Sequence, residues 1–176
     1  MKGTQMDWTT IFADRMGRMK ASEIRELLKL LDQPDIISFA GGIPDPALFP
    51  AAAFQAAFAD ALSPGKSEQA LQYSVSEGYA PLRIWIAGQM AKIGVPCDAD
   101  NILITSGSQQ ALDYLGKLML SKNDTALVGW PTYLGALGAF NAYEPQYDRL
   151  VAHGNRSADD YAQTAASAGG RVKFAY

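Results

Sequence analysis

The order of apolar and polar runs in this sequence predicts an α/β protein built on a mostly parallel sheet. Two observations carry that prediction. From residue 101 onward, short strand-like runs alternate with helix-like runs, the pattern of strand, crossover helix and next parallel strand. The junction at "TSGSQQ" is small, polar and glycine-containing and that at "GWPTY" is a proline turn, so each strand passes to its helix with little intervening loop.

Taken in order, the first 35 residues read as two helical pieces. Ser22 is a candidate N-cap, and Ile24, Leu27, Leu28 and Leu31 fall on one helical face. "DIISFAGGIPDPALFP" follows, a strand-like run, a Gly-Gly pair and three prolines, which reads as an ordered extended loop. An alanine-rich helix over residues 50–62 is closed by "SPGKS", and a further helix runs from Pro81 to Lys92. Ile102–Thr105 then reads as strand, Ser108–Leu120 as helix, Thr125–Gly129 as strand and Leu134–Phe140 as helix. A weaker strand over Pro145–Leu150, a helix over Ser157–Ala168 and a strand over Arg171–Tyr176 complete the chain. The sequence stops inside that last strand, an unusual domain boundary, so a longer polypeptide is expected.

The 176 residues suffice for one ordinary domain or part of a larger one. A net charge of −3 gives no reason to expect nucleic acid or an acidic membrane surface as partner. The single cysteine, Cys97, excludes an internal disulfide, and one histidine, His153, argues against a zinc site or a Ser-His-Asp triad. No apolar run approaches the roughly 20 residues that span a bilayer, and "MKGTQMDWTT" lacks a signal-peptide core. A cytoplasmic protein is expected.

Two stretches carry chemistry. Ser106, Gly107, Ser108 and Gln109 would lie at a helix N-terminus, where unpaired backbone N–H groups and the helix dipole favour an anion such as phosphate. The competing reading is that Ser106 or Ser108 merely caps the helix. Tyr133 follows a proline turn at a strand's carboxyl end, the place where open α/β sheets bind ligands. It either stacks on a planar ring held by the same phosphate or packs on the sheet.

As a set, "IISFAGGIPDPALFP", "LQYSVSEGYAPLR", "ILITSGSQQALD" and "WPTYLGAL" resemble, in order and spacing, the fold type I pyridoxal-phosphate-dependent aminotransferases. The resemblance runs from about Ser22 to Tyr176 and is to the class I/II branch, most of all its 2-aminoadipate, kynurenine and aromatic aminotransferases. It implies an incomplete fold type I architecture. Residues 1–50 would form N-terminal helices and a substrate-side loop, 51–100 a helical segment of the small domain and the lead-in to the large domain, and 101–176 the first, truncated part of the cofactor-binding large domain.

The resemblance further implies pyridoxal 5'-phosphate as cofactor and an amino acid and a 2-oxo acid as substrates. Ser106, Gly107, Ser108 and Gln109 would hold the cofactor phosphate, and Tyr133 would stack on its pyridine ring. Tyr73 would reach the partner subunit's phosphate in a homodimer. Gly42 would border the substrate carboxylate, and Arg25 would recognise the substrate side chain. Where the family often has an acidic residue before its Pro-x-Tyr turn, this chain has Trp130, which implies altered local packing.

The family's Asn-Pro-Thr-Gly turn, its Asp for the pyridine nitrogen, its Schiff-base Lys and its Arg for the substrate carboxylate have no match here. This chain alone is therefore expected to be inactive. Its strands, missing those that separate the first from the next two, are expected not to form one continuous sheet. A non-catalytic phosphate-binding module is the alternative. A regulator of transcription is disfavoured by the negative charge and the lack of a DNA-binding region before Trp8. A dinucleotide-binding domain is set aside, because "GSQQAL" lacks the G-x-G-x-x-G pattern.

Overall fold

The structure, a computed structural model, describes residues 7–19 and 42–176. Among these, residues 7–19 and 106–176 form one compact unit and residues 42–105 another.

In the second unit, Asp45 caps a single 3-10 turn at Pro46–Leu48 by accepting from Ala47 N–H at 2.9 Å, so the proline-rich loop is ordered. Helix α1 (Ala51–Ala61) starts directly after Pro50. A single turn, α2 (Ser67–Ala70), precedes α3 (Ala80–Lys92), whose first turn contains Pro81. Arg83 of α3 donates to the carbonyls of Gly78 and Ala99, tying both approaches to the helix together.

The expected strand at Ile102–Thr105 is extended chain and joins no sheet among the described residues. Its Ile104 N–H bonds the Glu77 carbonyl at 3.0 Å, and Ile104 packs on Gly78 so closely that a Cβ there would lie 2.5 Å away. The apolar run supplied strand propensity, but a ladder needs a partner, and here a loop takes that place.

The first unit holds the sheet. Of the two helical pieces expected before residue 35, the described part shows only 3-10 turns at Trp8–Thr10 and Asp14–Gly17. Arg18 fastens this segment by donating to the Pro145 carbonyl at 2.6 Å. Helix α4 (Ser108–Met119), β1 (Thr125–Gly129), α5 (Leu134–Asn141), β2 (Gln146–Leu150), α6 (Ala158–Ser167) and β3 (Val172–Ala175) follow.

The three strands form one parallel sheet in the order β2-β1-β3, with Thr125 opposite both Gln146 and Val172. The Ile102–Thr105 run stands outside this sheet, so the four expected strands do not form one continuous sheet, in line with the expectation from the missing strands, while the last three pair with one another. The chain reverses direction across β1, since α5 leads to one neighbour and α6 to the other.

Ala126 and Val128 of β1 pack under Leu112 of α4 and Ala136, Ala139 and Phe140 of α5. Phe140 meets Phe174 and Tyr176 edge to face, at 5.2 and 5.8 Å between ring centres. Helix α6 begins with a reciprocal capping box between Ser157 and Asp160. It buries Tyr161 and Ala165 and leaves a cavity of about 470 Å³ against β2 that contains none of the predicted site residues. Among the described residues no helix is long and apolar enough to cross a membrane, and no cluster of His, Cys, Asp or Glu could hold a metal.

Candidate functional site

The carboxyl end of β1 is where the predicted phosphate and ring residues meet. The sequence passes from Gly129 through Trp130, Pro131 and Thr132 to Tyr133, which occupies the N-cap of α5. Helices α4 and α5 run side by side in the same sense. Gln109 bonds Gly135 near their starts, and Gly116 packs against Phe140 near their ends. Both N-termini therefore open at the same edge of the unit, so their dipoles add.

The α4 terminus has no side-chain cap at its cap position, which is Gly107 at φ +83°. This corrects the reading in which Ser106 or Ser108 caps the helix. A Cβ on Gly107 would meet nothing, so glycine is required there by the left-handed backbone and not by crowding. The preceding Ser106 N–H is taken by the side chain of Gln110 at 2.6 Å, and Gln110 in turn donates to the Tyr114 hydroxyl at 2.8 Å. Neither helix carries an acidic residue in its first turn to compete with a bound anion.

Gln109 does something its sequence position did not announce. Its side-chain amide donates to the Gly135 carbonyl, 26 residues away, at 2.8 Å. Tyr133 is about half exposed, and its ring lies folded across Gly135, where a Cβ would sit 2.4 Å from Cζ. Gly135 is thus a site residue the sequence reading missed. The available signal was a glycine inside a helix, two places after the tyrosine, where it costs stability unless packing requires it.

Trp130 stays exposed at the same edge, with the Arg149 guanidinium 5.9 Å from its ring centre. Ser106, Gly107, Ser108, Gln109 and Tyr133 are therefore brought to one end of one unit. Tyr73 and Gly42 belong to the other. Tyr73 is fully exposed beside a cleft lined by Asp60, Lys66 and Tyr79, and Gly42 sits exposed in a turn at φ +59°. Arg25 lies outside the described residues.

The opposite end of β1 has the reverse chemistry. Asp124, almost fully buried, accepts from the N–H groups of Ser121 and Arg171 and from Lys173 Nζ at 3.3 Å. Burial pushes its carboxyl up, but these three donors outweigh that and hold it below the usual carboxylate value. Lys122 pairs with Glu144 at the same end, at 3.2 Å.

Comparison with known proteins gives this geometry its context. No protein-family model matches the chain. The 2-aminoadipate transaminase of Thermus thermophilus is 47% identical over 142 residues, covering 81% of this chain and 34% of that one. The kynurenine aminotransferase of Pyrococcus horikoshii, solved in complex with PMP, superposes with a TM-score of 0.79 at 38% identity, over 97% of this chain and 43% of that one. The alpha-aminoadipate aminotransferase LysN of Thermus thermophilus, solved with N-(5'-phosphopyridoxyl)-L-leucine, gives 0.74 at 41% identity over 97% and 41%.

The chain belongs to the fold type I pyridoxal-phosphate-dependent aminotransferases. It spans about a third of the length of the curated relatives of that family that it matches. The parallel β2-β1-β3 sheet and its covering helices are thus the family's α/β fold in part.

Proposed function

We propose that this chain supplies the phosphate cradle and ring support of a pyridoxal-phosphate-dependent aminotransferase that moves an amino group between an amino acid and a 2-oxo acid. The observation that carries the reading is the N-terminus of α4, without a side-chain cap, opening beside Tyr133 and the N-terminus of α5 at the carboxyl end of β1. Its chemistry fits a phosphate: a left-handed glycine turn, serine hydroxyls, aligned helix dipoles and no competing acid.

When bound, pyridoxal 5'-phosphate supplies an electron sink for the charge that develops at the substrate Cα. Ser106, Gly107, Ser108 and Gln109 would hold its phosphate, and Tyr133 would stack on its pyridine ring. Gly42 borders the substrate carboxylate, Arg25 recognises the substrate side chain, and Tyr73 crosses to the partner subunit in a cytoplasmic homodimer. The cofactor-linking lysine comes from elsewhere. The described lysines of this unit lie away from the cradle, Lys117 in the last turn of α4, and Lys122 and Lys173 at the amino end of β1.

The test uses pyridoxine 5'-phosphate, whose alcohol in place of the aldehyde prevents condensation with amines. Saturable binding to the full chain, competed by inorganic phosphate, is expected. Ser108→Ala should weaken it about tenfold or more, the loss of one hydrogen bond to a charged group. Absence of competition by phosphate refutes the cradle. Separately, turnover of an amino acid and 2-oxoglutarate by the 176-residue chain, above the rate of free cofactor, refutes the expectation that catalysis needs a lysine from outside it.

A further inference from the structure

We infer that Gln109 and Gly135 are positioning residues that together form the seat of the Tyr133 ring, and that Gln109 serves the cofactor phosphate through its backbone N–H alone. The inference rests on the phosphate-and-ring reading of this site and sharpens it. Three observations meet at one point. The Gln109 amide is spent on the Gly135 carbonyl at 2.8 Å, which locks the first turn of α5 to the first turn of α4. The Tyr133 ring occupies the space where a Gly135 side chain would be, since a Cβ there would stand 2.4, 2.5 and 2.6 Å from Cζ, Cε1 and Oη.

The third observation is a contrast within the same helix. Gly138 is also glycine inside α5, yet a Cβ there would meet nothing within 4 Å. Gly135 does not have the positive φ that would demand glycine for backbone reasons. The ring is what requires it. A side chain at 135 would push Tyr133 off the helix, and loss of the Gln109 amide would free the turn that carries both. In either case the tyrosine loses its fixed orientation while the backbone N–H groups of α4 stay in place.

That separation gives a distinctive signature. In the full chain, Gln109→Ala and Gly135→Ala should each weaken pyridoxine 5'-phosphate about tenfold, the scale of one aromatic stacking contact. Both should leave inorganic phosphate binding within about twofold of wild type. Adding Gln109→Ala to Tyr133→Ala should cost nothing further, because the two residues act through one ring. Parallel weakening of phosphate and pyridoxine phosphate by Gln109→Ala overturns the inference and makes that side chain a phosphate ligand.

If the wild-type chain binds neither ligand, the functional reading fails by itself. The seat is then judged without ligand, from the 19F resonance of fluorotyrosine assigned through Tyr133→Phe. Gly135→Ala must move that resonance and Gly138→Ala must not. An unmoved resonance refutes the seat.

Discussion

Gly170→Ala is the substitution whose cost the structure defines most sharply. Gly170 lies between α6 and β3, and a Cβ there would stand 2.0 Å from the Asn123 carbonyl oxygen, 2.5 Å from its carbon and 2.7 Å from Asp124 N. All three are backbone atoms, so no side chain can swing aside. They are also held, since Asn123 N–H bonds the Glu144 carbonyl and Asp124 N–H bonds the Ser121 carbonyl, both at 3.0 Å. Relief requires residues 169–171 to retreat by more than an ångström, about the gap to the 3.4 Å of ordinary contact. That motion breaks Thr125 N–H to the Arg171 carbonyl at 2.8 Å and Arg171 N–H to Asp124 Oδ1 at 3.1 Å.

A neutral backbone bond and a charge-assisted one together are worth roughly 2–4 kcal/mol. The loss falls where β3 enters its register with β1, leaving the Lys173–Asp124 pair as the remaining polar tie at that end. Urea unfolding of the full chain, followed by circular dichroism, should show a midpoint lower by about 1–2 M for an m-value of about 2 kcal/mol/M. Gly138→Ala is the control, expected to be neutral or to stabilise by about 0.5–1 kcal/mol through helix propensity. A Gly170→Ala midpoint equal to wild type would refute the claimed backbone contact.

Gly116→Ala tests the packing of α4 on the loop after α5. Its Cβ would lie 2.7 Å from Tyr143 Cδ2 and 3.3 Å from Phe140, so it should destabilise by about 1–2 kcal/mol despite better helix propensity, and stabilisation in the same urea assay would refute it. Asp124 governs acid sensitivity. Its folded pKa is depressed, so its stabilisation is present above about pH 4 and is lost as the pH falls through the lower folded value; Asp124→Asn should flatten that acid limb, measured by unfolding free energies from pH 5 to 2. Tyr147 governs the alkaline side. Burial pushes its hydroxyl up to about 12, against the pull of Arg18, and its one proton is shared between Asn141 Oδ1 and the Leu137 carbonyl. Its stabilisation holds below pH 10 and disappears as the pH rises through 12, so Tyr147→Phe should remove the last step of a 295 nm titration.

Local signals were legible wherever a segment's own residues decide its conformation. Thr125–Gly129 is apolar and continuous, and it forms β1 at those bounds because a strand buried on both faces needs no alternation. Ser157 at the start of its helix acts through Asp160 three residues on, a relation contained in four letters of sequence. What was not legible depends on partners far along the chain. Ile102–Thr105 has strand composition, but whether it joins a sheet is settled by what lies beside it. At the turn before α4 the serines were visible, whereas the cap fell to Gly107 and the Ser106 N–H went to Gln110, a choice made by backbone geometry. The seat of Tyr133 was hidden because it joins Gln109 to Gly135 across 26 positions.

The two ends of β1 differ in charge, which keeps the proposed cradle apart from the contacts that hold the fold. At the amino end, Asp124 and Glu144 face Lys173 and Lys122, and these pairs close the turns that set the strand register. Cations placed there are neutralised by stabilising contacts. At the carboxyl end the helices present partial positive charge from backbone dipoles, with no acid in either first turn to neutralise it. On the proposed reading an anion would be drawn to the carboxyl end by groups that cannot titrate, while Asp124, Glu144, Lys122 and Lys173 sit at the other. A consequence follows for measurement. Acid that protonates Asp124 should loosen the sheet, whereas phosphate affinity in the still-folded protein should follow only the charge of the phosphate itself. A break in phosphate affinity at the pH where Asp124 titrates, with secondary structure intact, would contradict this separation.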